Sequence, residues 1–115
     1  MSLAPLSVSI DATLREAEDL MIDAGLRHLP VLENGELIGV VSDRDLASGV
    51  GERVRDVCSL DVYSVKRGAA LDEVLDAMAE RRLGCAIVTR KGKVVGIFTA
   101  TDACRTFAEY LRKRS

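Results

Sequence analysis

Apolar and polar residues alternate over Leu6-Ser7-Val8-Ser9-Ile10, the period-two signature of a half-buried strand. The period then changes. Leu14, Ala17, Leu20, Met21 and Ala24 fall at helical spacing, behind Thr13 and Glu16 in a capping-box pattern and ahead of Gly25, the C-cap. Leu29-Pro30-Val31-Leu32 predicts a strand, on an edge or paired on one side because Pro30 lacks a donor. Asn34-Gly35 predicts a tight hairpin to the strand Leu37–Val41. A short helix runs from Asp43 to about Ser48 before Gly49-Val50-Gly51 breaks it.

The pattern then starts again. After a linker with one or two helical turns at Glu52–Cys58, Val62–Val65 is a strand and Ala70–Arg82 a helix. Its apolar side carries Leu71, Val74, Leu75, Met78 and Leu83. Cys85–Thr89 and Val94–Phe98 form a hairpin around Lys91-Gly92, and a last helix covers Thr101 to about Arg112. A constant offset of 57 residues aligns Ser7 with Ser64, Leu14 with Leu71, Met21 with Met78, Gly39 with Gly96 and Asp45 with Asp102. Matches at core positions and turn glycines alike mark an internal duplication rather than shared composition. The predicted fold class is α/β (α+β): two β-α-β-β-α repeats packed with internal pseudo-two-fold symmetry. Their expected bounds are 1–51 and 61–115, with 52–60 as linker. Each repeat is near the lower limit for folding alone, so packing by the sheets is expected to bury what each leaves open.

Composition narrows the function. Of 115 residues 48% are hydrophobic, 30% charged and only 3% aromatic, with a net charge of −2. Aromatic stacking platforms and a basic footprint are both missing, which argues against nucleic acid as partner. No apolar run approaches a membrane span of about 20 residues. Three cysteines without Cys-x-x-Cys spacing predict reduced thiols in a cytoplasmic protein, with Cys85 in the core. One histidine, no metal-ligand spacing, no nucleophile motif and no phosphate loop argue against an enzyme.

The candidate chemistry lies where each repeat's last strand enters a helix. Gly39-Val40-Val41-Ser42-Asp43-Arg44-Asp45 and Gly96-Ile97-Phe98-Thr99-Ala100-Thr101-Asp102 both place a hydroxyl three residues before a carboxylate. A carboxylate accepts both hydroxyls of a ribose diol, and free N–H groups of a first helical turn favour an anion. The same spacing also makes an ordinary N-cap.

The order of strand, Asp11-Ala12-Thr13-Leu14 helix, Arg27-His28-Leu29-Pro30-Val31 strand, Asn-Gly hairpin and Gly-Val-Val-Ser-x-x-Asp resembles a cystathionine-β-synthase (CBS) domain. The second half resembles another, making a tandem pair, or Bateman module, over nearly the whole chain. The family's Val-x-Asp-Val-Met turn stands only before the second repeat, as Val54-Arg55-Asp56-Val57-Cys58, which suggests a chain excised from a longer protein. The resemblance implies a regulatory module without catalysis or required cofactor. It would bind AMP, ADP, ATP or S-adenosylmethionine in clefts between the two repeats, and commonly form a homodimer through its helices. A ligand-free homodimerisation module is the alternative. Effector domains in a longer parent protein are the implied partners.

Carried onto this sequence, the resemblance assigns Ser42, Asp45, Thr99 and Asp102 to the ligand. Arg27, His28 and Arg44 are candidate phosphate ligands; the matching Gly84, Cys85 and Thr101 are uncharged, so the first half is expected to be the better anion site. Ile10, Pro30 and Val31 are candidate adenine walls, and Val65, Ala86 and Ile87 their counterparts. Arg53/Arg55 and Glu80-Arg81-Arg82 read as solvated faces. Phe107, Tyr110 and Leu111 form a helical stripe, either a dimer contact or a cover for the chain's own core.

Overall fold

In a computed structural model, which describes residues 6–48 and 50–114, the chain divides into two compact units, Leu6–Val62 and Tyr63 onward. The predicted helix break at Gly49 lies outside the described residues. The first unit comprises β1 (Val8–Ser9), α1 (Leu14–Ala24), β2 (His28–Glu33), β3 (Glu36–Ser42), α2 (Asp43–Ala47) and α3 (Val54–Val57). The second comprises β4 (Ser64–Lys66), α4 (Leu71–Arg81), β5 (Cys85–Arg90), β6 (Lys93–Thr99) and α5 (Ala100–Arg114). No helix among the described residues is long and apolar enough to cross a membrane.

Each unit holds one three-stranded sheet, ordered β1-β2-β3 and β4-β5-β6, with a parallel first pair and an antiparallel hairpin. The hairpins have the same register, and a bulge falls at the same place in both, between Val31 and Leu32 and between Val88 and Thr89. The duplication read from the offset is therefore structural. Thr13 caps α1 through the reciprocal pair with Glu16, and Gly25 ends it at φ 67°, where a left-handed residue is needed.

Pro30 meets the second of the two expectations. It sits in the central strand and is paired on one side only, with Val40 of β3. The reason is local. The N–H and C=O of Val40 both turn away from β2 to Ser59, each bond 2.9 Å, so Pro30 stands in a pair that needs no donor. On the other side, β1 pairs with Val31 and Leu32 and leaves Pro30 unmatched.

The segment expected as a linker is part of the first unit. Val54 is fully buried in a core of Val8, Ile10, Ala17, Met21, Leu29, Val31 and Val41, with Val57 and Cys58 packed against it. Backbone bonds tie it down: Val54 N–H donates to Ala12, and Arg55 N–H to Ile10, each at 2.9 Å. Arg53 and Arg55 are exposed, as expected, and also fasten this turn from its polar side. The Arg55 guanidinium reaches Asp11 Oδ1 at 2.9 Å and Glu33 Oε2 at 3.2 Å, and Arg53 Nη1 donates to the Asp11 carbonyl at 2.7 Å. Asp56 accepts the N–H groups of Glu52 and Arg53, which holds its carboxyl below the usual range.

The second unit has a thinner core. Val74, Met78 and Ala86 pack with Tyr63, Val65 and Leu83, and Arg81 stacks over Tyr63 at 5.2 Å. Leu71, predicted on the apolar side of α4, is exposed. So are Phe107, Tyr110 and Leu111 of α5, whose stripe does not serve as core.

Candidate functional site

Ser42 is the last residue of β3 and the N-cap of α2, in extended backbone at φ −110°, ψ 165°. Its Oγ accepts the Asp45 N–H at 3.1 Å, while Asp45 Oδ2 accepts the Ser42 N–H at 2.8 Å. The pair satisfies two donors that a helix start leaves open. Asp45 Oδ1 makes no hydrogen bond among the described residues, so one carboxylate caps the helix and still presents an acceptor.

The second unit builds the same corner. Thr99 Oγ1 accepts the Asp102 N–H at 3.1 Å, and Asp102 Oδ2 accepts the Thr99 N–H at 2.9 Å. Here the other oxygen, Oδ1, lies 4.0 Å from Arg105 Nη1, one helical turn on. Arg105 was not legible as a site residue. Its only signal was the i, i+3 spacing from Asp102, and its counterpart in the first repeat is Ser48.

Strand alternation decides which side chains join these corners. His28 pairs with Ser42 and Pro30 with Val40, so all four share one sheet face. Cys85 with Thr99 and Ile87 with Ile97 repeat the arrangement. Residues of opposite parity face the helices. Ile10 and Val31 pack into the first core and Ala86 into the second. Val65 packs against the second core in the same way. Pro30 and Ile87 lie on the corner's face, and both side chains are fully buried as well.

The candidate cations of the first half are spread over different surfaces. Arg27 has the parity of Leu29, and it lines a groove of about 520 Å³ with Glu18, Met21, Asp43 and Leu46 on the helical side. Only its carbonyl reaches the corner's helix, accepting the Asp43 N–H at 2.9 Å. Arg44 and Thr101 are exposed on α2 and α5. His28 is on the right face but poorly placed to carry charge. Burial lowers its pKa, opposed by Asp43 and Asp45 and assisted by Arg27. Its Nδ1 is buried with no hydrogen-bond partner among the described residues. At Cys85, the matching position, burial pushes the thiol up to about 11.

The depressed His28 pKa gives stability a sign. The unfolded chain binds a proton near 6.5 that the folded chain takes up only at lower pH, so acid favours unfolding across that window. Stability is expected to fall as pH drops through 6.5, and His28→Gln is expected to flatten that slope. Thermal melts of both chains across this range measure it. Parallel slopes would contradict the assignment.

Residues 1–52 and 54–109 each match the family model described as the CBS domain. The chain is 34% identical over 101 residues to inosine-5′-monophosphate dehydrogenase of Nitrosopumilus maritimus, covering 85% of this chain and 21% of that enzyme. The chain thus spans about a fifth of the length of this curated relative. Among solved structures, it overlays the CBS domain pair of protein MJ0100 in complex with 5′-methylthioadenosine and S-adenosyl-L-methionine. The TM-score is 0.89 at 23% identity, covering 96% of this chain and 93% of that one. It overlays CBSX2 in complex with AMP with a TM-score of 0.78 at 22% identity, covering 93% and 90%.

Proposed function

The chain belongs to the CBS domain family, carrying two copies in tandem, and from that premise we propose that it is a regulatory module sensing an adenosine-containing ligand. The observation that carries this reading is the recurrence of one capping corner, Ser42/Asp45 and Thr99/Asp102, on the same sheet face of both repeats. In each corner the carboxylate accepts the ribose diol, and Ser42 or Thr99 offers its hydroxyl to the sugar or phosphate. In the first corner the orphaned His28 Nδ1 is the polar atom that a ligand group satisfies. In the second, Arg105 serves a phosphate. The solved CBS pairs with AMP or S-adenosylmethionine support this ligand class. Ligand binding shifts the module between arrangements by its differential affinity for them. The module carries no catalysis and acts on an effector.

A specific observation favours a second reading. Both aspartates already serve as helix caps, and the Phe107/Tyr110/Leu111 stripe is exposed, as a ligand-free homodimerisation module would have it. Thermal melts with AMP, ADP, ATP, S-adenosylmethionine and a pyrimidine nucleotide separate the two. The sensor reading expects an adenosine ligand to stabilise the fold by about 2.7 kcal/mol at a hundredfold excess over Kd, with no effect from the pyrimidine. No stabilisation by any of them at millimolar concentration leaves the dimerisation reading.

A further inference from the structure

The net charge of −2 is the sum of two unlike halves. Leu6–Val62 carries 12 acidic and 5 basic residues, whereas Tyr63–Ser115 carries 6 acidic and 11 basic. The first unit is acidic by seven charges and the second basic by five. An excess of one sign over a unit biases which ions gather at its surface. The two repeats share a sheet order and a capping corner, so the difference bears on what each corner holds.

The division reaches the corners themselves. Residues 42–48 hold Asp43 and Asp45 with Arg44, which balances only one of them; the matching residues 99–105 hold Asp102 with Arg105. Asp43 thus adds a second carboxylate where the twin has Ala100. It is exposed, its Oδ1 accepts the Arg44 N–H at 2.9 Å, and it acts together with Asp45 on the His28 imidazole. His28 gives no offsetting charge, because burial favours its neutral form. In the second corner a cation stands one turn along α5, with Arg105 Nη1 4.0 Å from Asp102 Oδ1. The equivalent position at the end of α2 is Ser48.

We propose that the two corners divide adenosine ligands by charge: Thr99/Asp102 takes an adenosine bearing phosphate, and Ser42/Asp45 one whose 5′ group is uncharged or cationic. The inference rests on the ligand reading and deepens it. A carboxylate meets the ribose diol in both corners, so the sugar does not discriminate, and the choice falls to the 5′ group. At the second corner Arg105 offers a phosphate charge-assisted N–H donors. At the first, Asp43 and Asp45 repel it within a unit of negative charge, while a thioether or sulfonium escapes that repulsion. The order is opposite to the one that Arg27, His28 and Arg44 suggest in sequence. Arg27 lines the helical groove and His28 stays neutral, which leaves Arg44 alone against two carboxylates.

The test is a backbone-amide NMR titration of the full chain with AMP and with 5′-methylthioadenosine, which share the adenosine and differ in 5′ charge. The Ser42 and Asp45 amides report the first corner, and those of Thr99 and Asp102 the second. The affinity ratio of AMP to 5′-methylthioadenosine is expected to be about tenfold higher at the second corner than at the first, the size of two exposed charge pairs. Exchanging two exposed residues, Ser48→Arg with Arg105→Ser, is expected to bring the ratios within about threefold of each other. Asp43→Asn, whose oxygen still accepts the Arg44 N–H, is expected to raise AMP affinity at the first corner about threefold. Equal or reversed ratios in the unaltered chain, or ratios that the exchange leaves unchanged, would overturn the division and leave the ligand reading standing. Four amides that neither compound moves at millimolar concentration would overturn both.

Discussion

Replacing Asp45 by Ala is expected to weaken binding of an adenosine ligand at the first corner by roughly 10- to 100-fold, the worth of charge-assisted hydrogen bonds to a ribose diol. The same substitution removes the acceptor of the Ser42 N–H and half of a capping box, for a further loss of about 1 kcal/mol in stability. The two effects need separating, and Asp45→Asn does so. An Asn oxygen still accepts the Ser42 N–H, so the fold is largely retained, but the negative charge that grips the diol is gone. Binding that falls in both variants while only Asp45→Ala melts early is the expected pattern. Binding that follows stability in both would reduce Asp45 to a cap. Asp102→Asn makes the same comparison at the second corner, where Arg105 already engages the carboxylate and the loss is expected to be smaller.

Gly39→Ala is expected to be a strongly damaging small substitution in the first unit. A Cβ at Gly39 would lie 2.6 Å from the Ser59 carbonyl oxygen, with Leu60 Cδ2 at 3.5 Å and Cys58 Sγ at 3.6 Å. The obstacle at 2.6 Å is backbone, which cannot rotate away. Relief means lifting residues 58–60 off β3, at the expense of the two Val40–Ser59 hydrogen bonds and of the packing of Cys58. Overpacking and the lost bonds together come to about 2–4 kcal/mol, a drop in Tm of roughly 8–15 °C for a chain of this size. Gly35→Asn is the control. Gly35 has φ 81° but nothing within 4 Å of a Cβ, and Asn tolerates that backbone, so a loss below about 1 kcal/mol is expected. Thermal denaturation of both variants checks the contrast. Equal Tm values would mean that the 58–60 segment does not press on β3.

The glycine of this motif shows why part of the structure was legible and part was not. Local chemistry could be read directly: the Thr13/Glu16 box, the Asn34-Gly35 hairpin and the Ser42/Asp45 corner each depend on residues within four positions. The duplication was equally plain, because an ungapped offset preserves both core parity and turn glycines. What failed depended on long-range placement. Nothing near Val54 shows that it enters the core of the preceding repeat, nor that the exposed Arg55 pairs with Asp11 and Glu33. Pro30 allowed either an edge strand or pairing on one side, and the choice between them depends on Val40 turning to Ser59. Arg27 and His28 were grouped as neighbours in sequence, yet Arg27 precedes β2 and lines a groove with Asp43 and Leu46, while His28 begins the strand opposite Ser42. Strand parity sends Val31 and Ala86 into the cores while Pro30 and Ile87 stay on the corner face.

The central claim is that the repeated carboxylates hold a ribose diol, and calorimetric titration with paired ligands tests it most directly. AMP and S-adenosylmethionine would each be titrated against the corresponding 2′,3′-dideoxy compound. Saturable binding of at least one parent ligand, with its dideoxy partner weaker by about tenfold or more, the worth of a hydrogen bond to a charged group, is the predicted result. Equal affinity for the two members of each pair, or no binding of either parent, would contradict the account.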